Sequence, residues 1–320
     1  MSARRGNQTD FEELCHGEAS PRAAGTGQTG RHEWQSGLMS ATVPEDGGTA
    51  DDALPVRGRL VTIVSVEPRS SALVRIYGTV SGRDVLDEWA SANMTIRLVF
   101  PASAPGSHNT DDGRPPDRGT GPVFPSRVFT IADVDPGSRL VAIDVVKHRE
   151  PSPVMAWLNQ VRPGDVLGAA DPRQHRLPGV GSPRILLADS SALAAVFSIL
   201  TRLPVPGATS VIAAAPTDEV DLFADALKER IGDVVPRDLC VVRVPMIGDM
   251  PLSDAFAGLA VPCSASVWAA GEHEDVQAVG RRCRDEFGLP PESIQVSGYW
   301  RRDRDRGVRP GVRHRPHRGG

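Results

Sequence analysis

Short apolar runs rich in β-branched residues follow one another from about residue 57 to residue 146. Runs of this length and composition are typical of strands that turn one face to a core. They cover residues 60–66, 72–77, 94–100, 127–131 and 140–146. Because the runs are closely spaced, this part of the chain is predicted to form an antiparallel β-barrel. Between the third and fourth runs, residues 102–122 are dominated by Pro, Gly, Asp, Ser and Thr, which predicts a long flexible loop.

A different pattern begins near residue 180, where apolar strands alternate with helical periods. Strand-like runs cover residues 185–188, 210–215, 240–244 and 266–270, and helical stretches cover residues 190–202 and 218–230. After the last strand, apolar side chains recur at the three- and four-residue spacing of one helix face. They are Val276, Val279, Cys283 and Phe287. This alternation of strands and helices predicts βαβ units and a parallel sheet.

Composition divides the 320 residues into four segments. Residues 1–55 hold few apolar side chains and are predicted to be disordered, because they cannot bury enough surface to offset the loss of chain entropy. The barrel is predicted at residues 56–175 and the α/β sheet at residues 180–303. Residues 304–320 form a basic tail, whose Gly, Pro and charge content also predicts disorder. Two folded domains suit this length, since single cores rarely grow beyond roughly 250 residues.

Charge and cysteine content disfavour several function classes. The net charge is −4, but residues 301–320 carry eight arginines against two aspartates, so the body of the chain is acidic and specific nucleic-acid binding is disfavoured. The basic tail could touch phosphates without sequence preference, although a solvated tail is the commoner case. Cys15, Cys240, Cys263 and Cys283 form no C-x-x-C pair, which argues against a zinc site and a disulfide framework. No run approaches the ~20 apolar residues of a membrane span. We therefore expect a cytoplasmic protein without a metal site or membrane contact.

One strand, and the turn that follows the next strand, carry side chains suited to a flavin dinucleotide. Arg127, Phe129 and Thr130 place a guanidinium, a ring and a hydroxyl along one strand. Arginine can pair bidentately with a phosphate, and an aromatic ring can cover a planar heterocycle. A helix is predicted at about residues 154–161 with Pro153 in its first turn, and free amide groups at a helix start attract anions. An amphipathic strand with an exposed arginine, followed by a surface turn, would explain the same residues without a ligand.

Several motifs in order resemble the siderophore-interacting protein family, whose members are FAD-dependent ferric-siderophore reductases with a ferredoxin-reductase-like fold. The family's R-x-Y-T is matched by residues 127–130, its stretch from an aspartate to H-G by residues 144–149, and its G-P-A-x-x-W by residues 152–157. Its D-E-T-A-L-P-A, V-W-x-A-G-E and terminal Y-W-R are matched by residues 189–195, 267–272 and 299–301. The resemblance covers roughly residues 57 to 303 and implies an FAD-binding barrel followed by an NAD(P)H-binding α/β sheet.

The resemblance implies a role for each matched position. FAD contacts are implied for Arg127, Val128, Phe129, Thr130, Asp144, Val146, His148, Ser152, Val154 and Met155. Contacts with the nicotinamide cofactor are implied for Asp189, Ser191, Ala192, Gly271, Glu272 and Trp300. Substrate contacts are implied for Lys147, Arg301 and Arg302. No catalytic acid, base or metal is required of the protein, because the flavin carries the redox chemistry.

The chain departs from the family pattern on the flavin side at three positions. Arg149 and Ser152 replace glycines, which families retain where the backbone must approach a ligand closely. Phe129 replaces the tyrosine, so the ring is kept and its hydroxyl is lost.

Further departures lie on the nicotinamide side, where Ser190 and Ser191 replace the family's acid and threonine. Helix capping by Ser190 would explain that residue without a ligand. A role for Ser191 as a hydrolase nucleophile has little support, because the G-x-S-x-G elbow is missing. Glu272 could equally serve only as a helix cap, and Trp300 as a packing residue.

These motifs predict a flavin-dependent oxidoreductase that passes electrons from NADPH or NADH through FAD to a ferric siderophore. The departures keep two alternatives open. One is a family scaffold diverted to secondary metabolism, either as a flavoenzyme or as a cofactor-free enzyme acting on an organic metabolite. The other is a non-catalytic binding protein that retains the fold.

Overall fold

The computed structural model describes residues 59–82, 86–101, 125–149, 151–204, 208–232 and 239–302. The predicted disordered segments at the two ends of the chain lie outside the described residues, as does the whole of the predicted loop at residues 102–122. The described residues form two β-sheets, of which the first encloses one apolar core and the second packs on two.

The first sheet is an antiparallel barrel, as the sequence predicts. Its strands are β1 (Arg59–Pro68), β2 (Leu73–Val80), β3 (Met94–Val99), β4 (Ser126–Asp135), β5 (Leu140–Val146), β6 (Val166–Ala169) and β7 (Arg173–Gln174). Six of them follow the order β4-β5-β2-β1-β6-β3, and pairing of β3 with β4 closes the barrel, while β7 extends β3. Successive side chains of a strand face opposite sides, so Val74, Ile76 and Val80 of β2 are buried while their neighbours are less so.

One end of the barrel is covered by a short helix, α1 (Pro153–Leu158). Val154 is its buried residue, and Trp157 packs edge-on against Phe100 with 5.2 Å between ring centroids. The sequence predicts this helix at residues 154–161, so the helix is real but ends three residues earlier. A helix of fewer than two turns, with Pro at its first position, therefore covers this end of the barrel and leads the chain toward β6.

The second sheet is parallel throughout, which confirms the prediction from strand and helix alternation. It contains β8 (Arg184–Asp189), β9 (Thr209–Ala214), β10 (Leu239–Arg243), β11 (Ser266–Glu272) and β12 (Ile294–Trp300). The order is β10-β9-β8-β11-β12. The next two strands along the chain, β9 and β10, lie on one side of β8, whereas β11 and β12 lie on its other side. The boundary between β8 and β11 is therefore the switch point of the sheet, where ligands bind beyond the carboxyl ends of the strands in α/β folds.

Four helices pack on this sheet among the described residues: α2 (Leu193–Arg202), α3 (Thr217–Ile231), α4 (Pro251–Ala257) and α5 (His273–Asp285). The predicted apolar face of α5 is confirmed, since Val276, Val279 and Cys283 are fully buried. Phe287 lies beyond the end of α5 and packs on Phe256 at 5.5 Å between ring centroids. No helix in the described part of the chain combines the length and apolarity needed to cross a bilayer.

The barrel and the parallel sheet are joined by hydrogen bonds between distant parts of the chain. The backbone N–H of Asn93 donates to Ser198 Oγ at 2.6 Å, and the indole N–H of Trp268 donates to the carbonyl oxygen of Arg176 at 3.0 Å. Arg202 at the end of α2 reaches Asp133 of β4 at 3.2 Å. These contacts set the barrel against the sheet and so fix where the two candidate binding regions lie.

Candidate functional site

The barrel has an open seam between β4 and β5. Their ladder runs from Asp135↔Leu140 to Ile131↔Ile143, and within the described residues it includes no pair beyond that point. Residues 127–130 of β4 pair instead with β3 on their other edge, and residues 144–146 of β5 pair with β2. Backbone groups along the seam are therefore available to a ligand edge, and the side chain of Val128 is 49% exposed there.

Arg127 and Phe129, two of the residues predicted to contact FAD, lie along this seam. Arg127 is exposed, and its Nη1 donates a hydrogen bond to the carbonyl oxygen of the preceding Ser126 at 2.8 Å. No acidic side chain is paired with it in the described structure, so its charge is available to an anion. Phe129 is half-buried and packs edge-on against Phe100 with 6.1 Å between ring centroids. Part of its ring therefore supports the barrel core and part remains accessible.

A cleft of about 550 Å³ begins where β5 ends. Its apolar wall includes Val66, Val74 and Met155, and its rim carries Lys147 and His148. The further lining residues are Pro68, Arg149, Pro151, Ser152, Ala156, Leu158 and Asn159. An apolar wall with a cationic rim suits a planar ring that carries phosphate groups, and the volume is typical of a cofactor site.

Ser152 occupies the N-cap of α1, and its side chain is already engaged. Its Oγ accepts the backbone N–H of Met155 at 3.2 Å, while the sulfur of Met155 accepts the N–H of His148 at 3.5 Å. Because α1 has six residues and its cap uses one of the few free amides, the helix start offers less to an anion than the sequence predicts.

Two side chains predicted to contact FAD are not accessible to it, one because it is paired and the other because it is enclosed. Asp144 forms a bidentate ion pair with Arg75 directly across the β2–β5 ladder, at 2.7 and 2.8 Å. Its carboxylate is therefore satisfied, and a ligand contact would have to come from its backbone. The hydroxyl of Thr130 is enclosed beside the phenol of Tyr299, whose pKa burial raises to about 12. An FAD contact by this hydroxyl would require Tyr299 to move.

The predicted nicotinamide residues come together at the switch point between β8 and β11. The carboxylate of Asp189, the last residue of β8, accepts four hydrogen bonds. Its Oδ1 accepts the N–H and the hydroxyl of Ser191 at 2.9 and 2.5 Å, and its Oδ2 accepts the N–H of Glu272 at 2.9 Å and the indole N–H of Trp300 at 2.7 Å. Burial raises the pKa of Asp189 above its usual range, although all four hydrogen bonds act in the opposite direction.

Gly271 allows Asp189 to sit this close to β11. Its φ is +152°, a backbone conformation that side chains rarely adopt, and a Cβ added there would lie 2.6 Å from Asp189 Oδ2. A glycine is therefore required for the contact between the ends of β8 and β11. Ala192, also predicted at this site, is fully buried beneath it as the N-cap of α2.

Glu272 is the N-cap of α5, as the capping interpretation predicts. Its Oε2 accepts the N–H groups of Glu274 and Asp275 at 2.8 and 3.0 Å, and its Oε1 accepts the N–H of Arg302 at 3.1 Å. Burial opposes ionisation of Glu272, but these amide groups outweigh burial and hold its pKa below the usual range. Ser190 does not cap α2, which begins at Leu193 without a side-chain cap, so that prediction is wrong.

The three predicted substrate residues lie on different parts of the molecule. Lys147 lines the cleft beside the barrel, whereas Arg301 and Arg302 follow β12 at the carboxyl ends of the parallel strands. Arg302 is held there by an ion pair with Asp249, and its guanidinium carbon lies 5.9 Å from the ring centroid of Trp300. The described residues contain no group of three or more His, Cys, Asp or Glu side chains arranged to hold a metal ion.

A second cleft of about 470 Å³ was not predicted from the sequence. It lies beyond β10 and beside α4, and its lining includes Val244, Pro251 and Asp254. Met246 and Ile247, which are 59% and 76% exposed, follow Val244 in the same segment. Two exposed large apolar residues directly after a strand are the signal that could have pointed to this surface.

Three features of the seam and the neighbouring cleft are chemically suited to FAD. The open β4–β5 edge offers backbone hydrogen bonds, Arg127 and Lys147 offer unneutralised charge, and Phe129 with the apolar wall of the cleft offers a surface for rings. The engaged side chains of Ser152 and Asp144 and the enclosed hydroxyl of Thr130 reduce the number of predicted contacts, but they leave these three features in place.

A closed antiparallel barrel followed by a five-stranded parallel sheet, with a seam and a switch-point site, defines a ferredoxin-reductase-like flavoprotein fold. The chain belongs to the siderophore-interacting protein family. Residues 62–176 match the family described as the siderophore-interacting FAD-binding domain, and residues 183–303 match the siderophore-interacting protein family itself.

Curated relatives include two proteins named for ferric-siderophore reduction. The ferric acinetobactin reductase of Acinetobacter baumannii is 27% identical over 75% of this chain and 77% of its own length. The ferric vibriobactin reductase ViuB of Vibrio cholerae is 26% identical over 77% of this chain and 90% of its own length. The solved structure of a siderophore-interacting protein from Acinetobacter baumannii superposes with a TM-score of 0.62 at 23% identity, covering 77% of this chain and 91% of that one, and shows the shared fold.

Proposed function

We propose that the protein is a flavin-dependent reductase that takes electrons from NADH or NADPH and delivers them to the iron of a ferric siderophore. The observation that carries the proposal is the open β4–β5 seam with Arg127 unneutralised beside it, in a chain of the siderophore-interacting family. Two relatives that bear the names of ferric-siderophore reductases support the substrate class.

In this proposal the barrel residues hold FAD. Arg127 and Lys147 neutralise the diphosphate, Phe129 lies against the ring system, and backbone groups of Val128 and Val146 bond to its polar edge. His148 and Met155 line the approach beside α1, and the buried Val154 anchors α1 on the barrel core. When bound, FAD supplies the conversion of a two-electron donor into one-electron steps. The protein itself supplies placement and electrostatics, and no side chain is needed as an acid or base.

The parallel sheet holds the electron donor in this proposal. The switch-point cluster of Asp189, Ser191, Gly271, Glu272 and Trp300 shapes a crevice at the strand ends, where α/β sheets take nucleotides. Arg301 is exposed at the same end of the sheet and attracts an anionic ferric chelate. Iron leaves the chelate after reduction because hard oxygen ligands hold the ferrous ion less strongly than the ferric ion.

The first test is the flavin content of the purified protein. We expect a flavin absorbance spectrum, or uptake of added FAD, followed by bleaching on anaerobic addition of NADH or NADPH and recovery on addition of a ferric catecholate. Arg127→Ala should weaken FAD binding by roughly tenfold to a hundredfold, because it removes a charge-assisted contact. Arg281→Ala removes the same charge from an exposed face of α5 and serves as the matched control. Colourless protein that does not take up FAD would contradict the proposal.

A second candidate function follows from the engaged hydroxyl of Ser152. Because this serine already accepts the N–H of Met155, the scaffold could have been diverted to another substrate, as a flavoenzyme or a cofactor-free enzyme. Ser152→Gly frees that amide and restores the family residue, so it should tighten FAD binding several-fold if the main proposal holds. FAD binding without reduction of any ferric chelate would favour the diverted flavoenzyme.

A further inference from the structure

The indole of Trp300 reaches across one strand to the next. Trp300 ends β12 and is paired with Glu272 of β11, yet its Nε1 donates to Asp189 Oδ2 at the end of β8, 2.7 Å away. Because β11 lies between β12 and β8, the ring must pass over the carboxyl end of β11. Gly271, the residue before the last one of β11, has no side chain to obstruct the ring. The indole therefore lies across the switch-point crevice itself.

Asp189 is bound too firmly to serve as a ligand contact of its own. Each carboxylate oxygen accepts two hydrogen bonds. Both donors to Oδ1 belong to Ser191, and the donors to Oδ2 belong to Glu272 and Trp300. A nucleotide that displaced any of these donors would leave a buried polar group unsatisfied, which is costly. The carboxylate is instead suited to fixing the direction of the indole N–H, and with it the plane of the ring.

Trp300, whose ring Asp189 fixes, is 43% exposed as a residue, so it offers a surface to the solvent side of the crevice. Arg302 supports it, with its guanidinium carbon 5.9 Å from the ring centroid, and Arg302 is in turn held by Glu272 and Asp249. A large aromatic ring held in one orientation beside a cation is suited to packing against a planar heterocycle that carries phosphate.

We propose that Asp189 is a positioning residue that fixes the indole of Trp300 as an aromatic wall of the crevice, against which the nicotinamide ring of the electron donor packs. This inference rests on the proposed function, since it assumes a nicotinamide donor. Asp189 acts through Trp300 and does not touch the nucleotide. A purely structural role, in which the hydrogen bond only anchors the edge strand β12, is the competing explanation.

The test compares Asp189→Asn, Trp300→Phe and the double variant. Trp300→Phe keeps a ring but loses the N–H, and Asp189→Asn leaves one uncharged acceptor oxygen that cannot satisfy all four donors, so either single change weakens the fixed orientation. We expect each single variant to raise the KM for NADH or NADPH by about tenfold with kcat within about twofold, the scale of one lost charge-assisted hydrogen bond. In the Trp300→Phe background, Asp189→Asn should change KM by less than about twofold, because the two residues act as one unit.

A second readout does not depend on turnover. Trp300 emission, taken as the difference between the wild type and Trp300→Phe, should be quenched by the oxidised nucleotide and should become more accessible to acrylamide in Asp189→Asn. Asp275→Asn is the matched control, because Asp275 is a buried carboxylate that accepts the N–H groups of Leu252 and Ser253 rather than the indole N–H of Trp300. That control should change neither the quenching nor the KM.

The outcomes separate this inference from the proposed function. Additive effects of the two changes on KM, or unchanged acrylamide quenching in Asp189→Asn, would overturn the positioning role even in an active enzyme. Failure of the nucleotide to quench Trp300 in a wild type whose flavin it reduces would also overturn it. If the wild-type flavin is not reduced by either nucleotide, the proposed function fails instead. If Asp189→Asn does not fold, the KM of Trp300→Phe tests the inference instead, because that variant removes the same hydrogen bond by changing the exposed partner.

Discussion

Two cysteines of the parallel-sheet region have opposite environments. Cys263 is exposed, whereas Cys283 is fully buried on α5, and burial raises the pKa of its thiol to about 12. Because only the thiolate reacts, Cys283 should be inert at pH 8. With a chromogenic disulfide reagent, Cys263→Ser should remove one rapidly reacting thiol and Cys283→Ser should remove none. Loss of a rapid phase in Cys283→Ser would show that α5 is not packed as described.

The cap at Glu272 gives a pH-dependent prediction. Glu272→Gln should lower the free energy of unfolding by about 1 kcal/mol at pH 7, because a neutral amide satisfies the three N–H groups less well. The pKa of Glu272 is lowered in the folded state, so the stabilisation is present above its ordinary value of 4.5 and is lost as pH falls through the lower folded value. Urea unfolding at several pH values should show the two proteins converging in acid. A constant difference down to pH 3 would contradict this explanation.

At the scale of single elements, the ends of β8 and β11 depend on a residue without a side chain. Gly271→Ala places a Cβ 2.6 Å from Asp189 Oδ2 and forces an unfavourable φ, so it should cost about 3 kcal/mol of unfolding free energy. Thermal or urea unfolding measures this loss. Gly258→Ala is the control, because φ there is −82° and the added Cβ would lie 3.6 Å from its nearest neighbour. Equal stability of the two variants would mean that the strand ends are not in contact.

The elements that sequence patterns missed share a physical cause. β6 and β7 are four and two residues long, too short for alternation to be recognised. β12 is an edge strand with mostly intermediate burial, and its Gly298 packs against His273, so its apolar signal is weak. α4 begins at a proline and has seven residues. The long runs of the barrel and of β8, β9 and β11 were predicted correctly because full burial requires continuous or alternating apolar residues.

At the scale of the whole molecule, one buried side chain links the barrel to the parallel sheet. Asn93 is fully buried, its φ is +52°, and its side-chain N–H donates to the carbonyl oxygen of Arg176 at 2.8 Å. Its Oδ1 accepts the hydroxyl of Tyr299 at 3.5 Å, and its backbone N–H donates to Ser198. These contacts span 83, 206 and 105 residues of sequence.

Asn93→Ala should therefore destabilise the protein by about 3 kcal/mol, because it leaves buried donors and acceptors without partners and places alanine at a positive φ. Urea unfolding followed by both tryptophan emission and circular dichroism measures the loss and tests whether the two sheets still unfold together. Asn159→Ala, at the exposed C-cap of α1, should change stability by less than about 0.5 kcal/mol. A neutral Asn93→Ala would show that the two sheets are held together elsewhere.

The amino-acid sequence alone determined the order of the two architectures and the motifs that place the chain in its family. Local periodicity predicts the order of strands and helices, because a strand or helix face must be apolar wherever it is buried. Only the tertiary structure decided which predicted site residues are free to bind. Asp144 is paired with Arg75, 69 residues away, and Asp189 holds Trp300, 111 residues away. Such partners are brought together by strand order and closure of the barrel, and no local pattern encodes them.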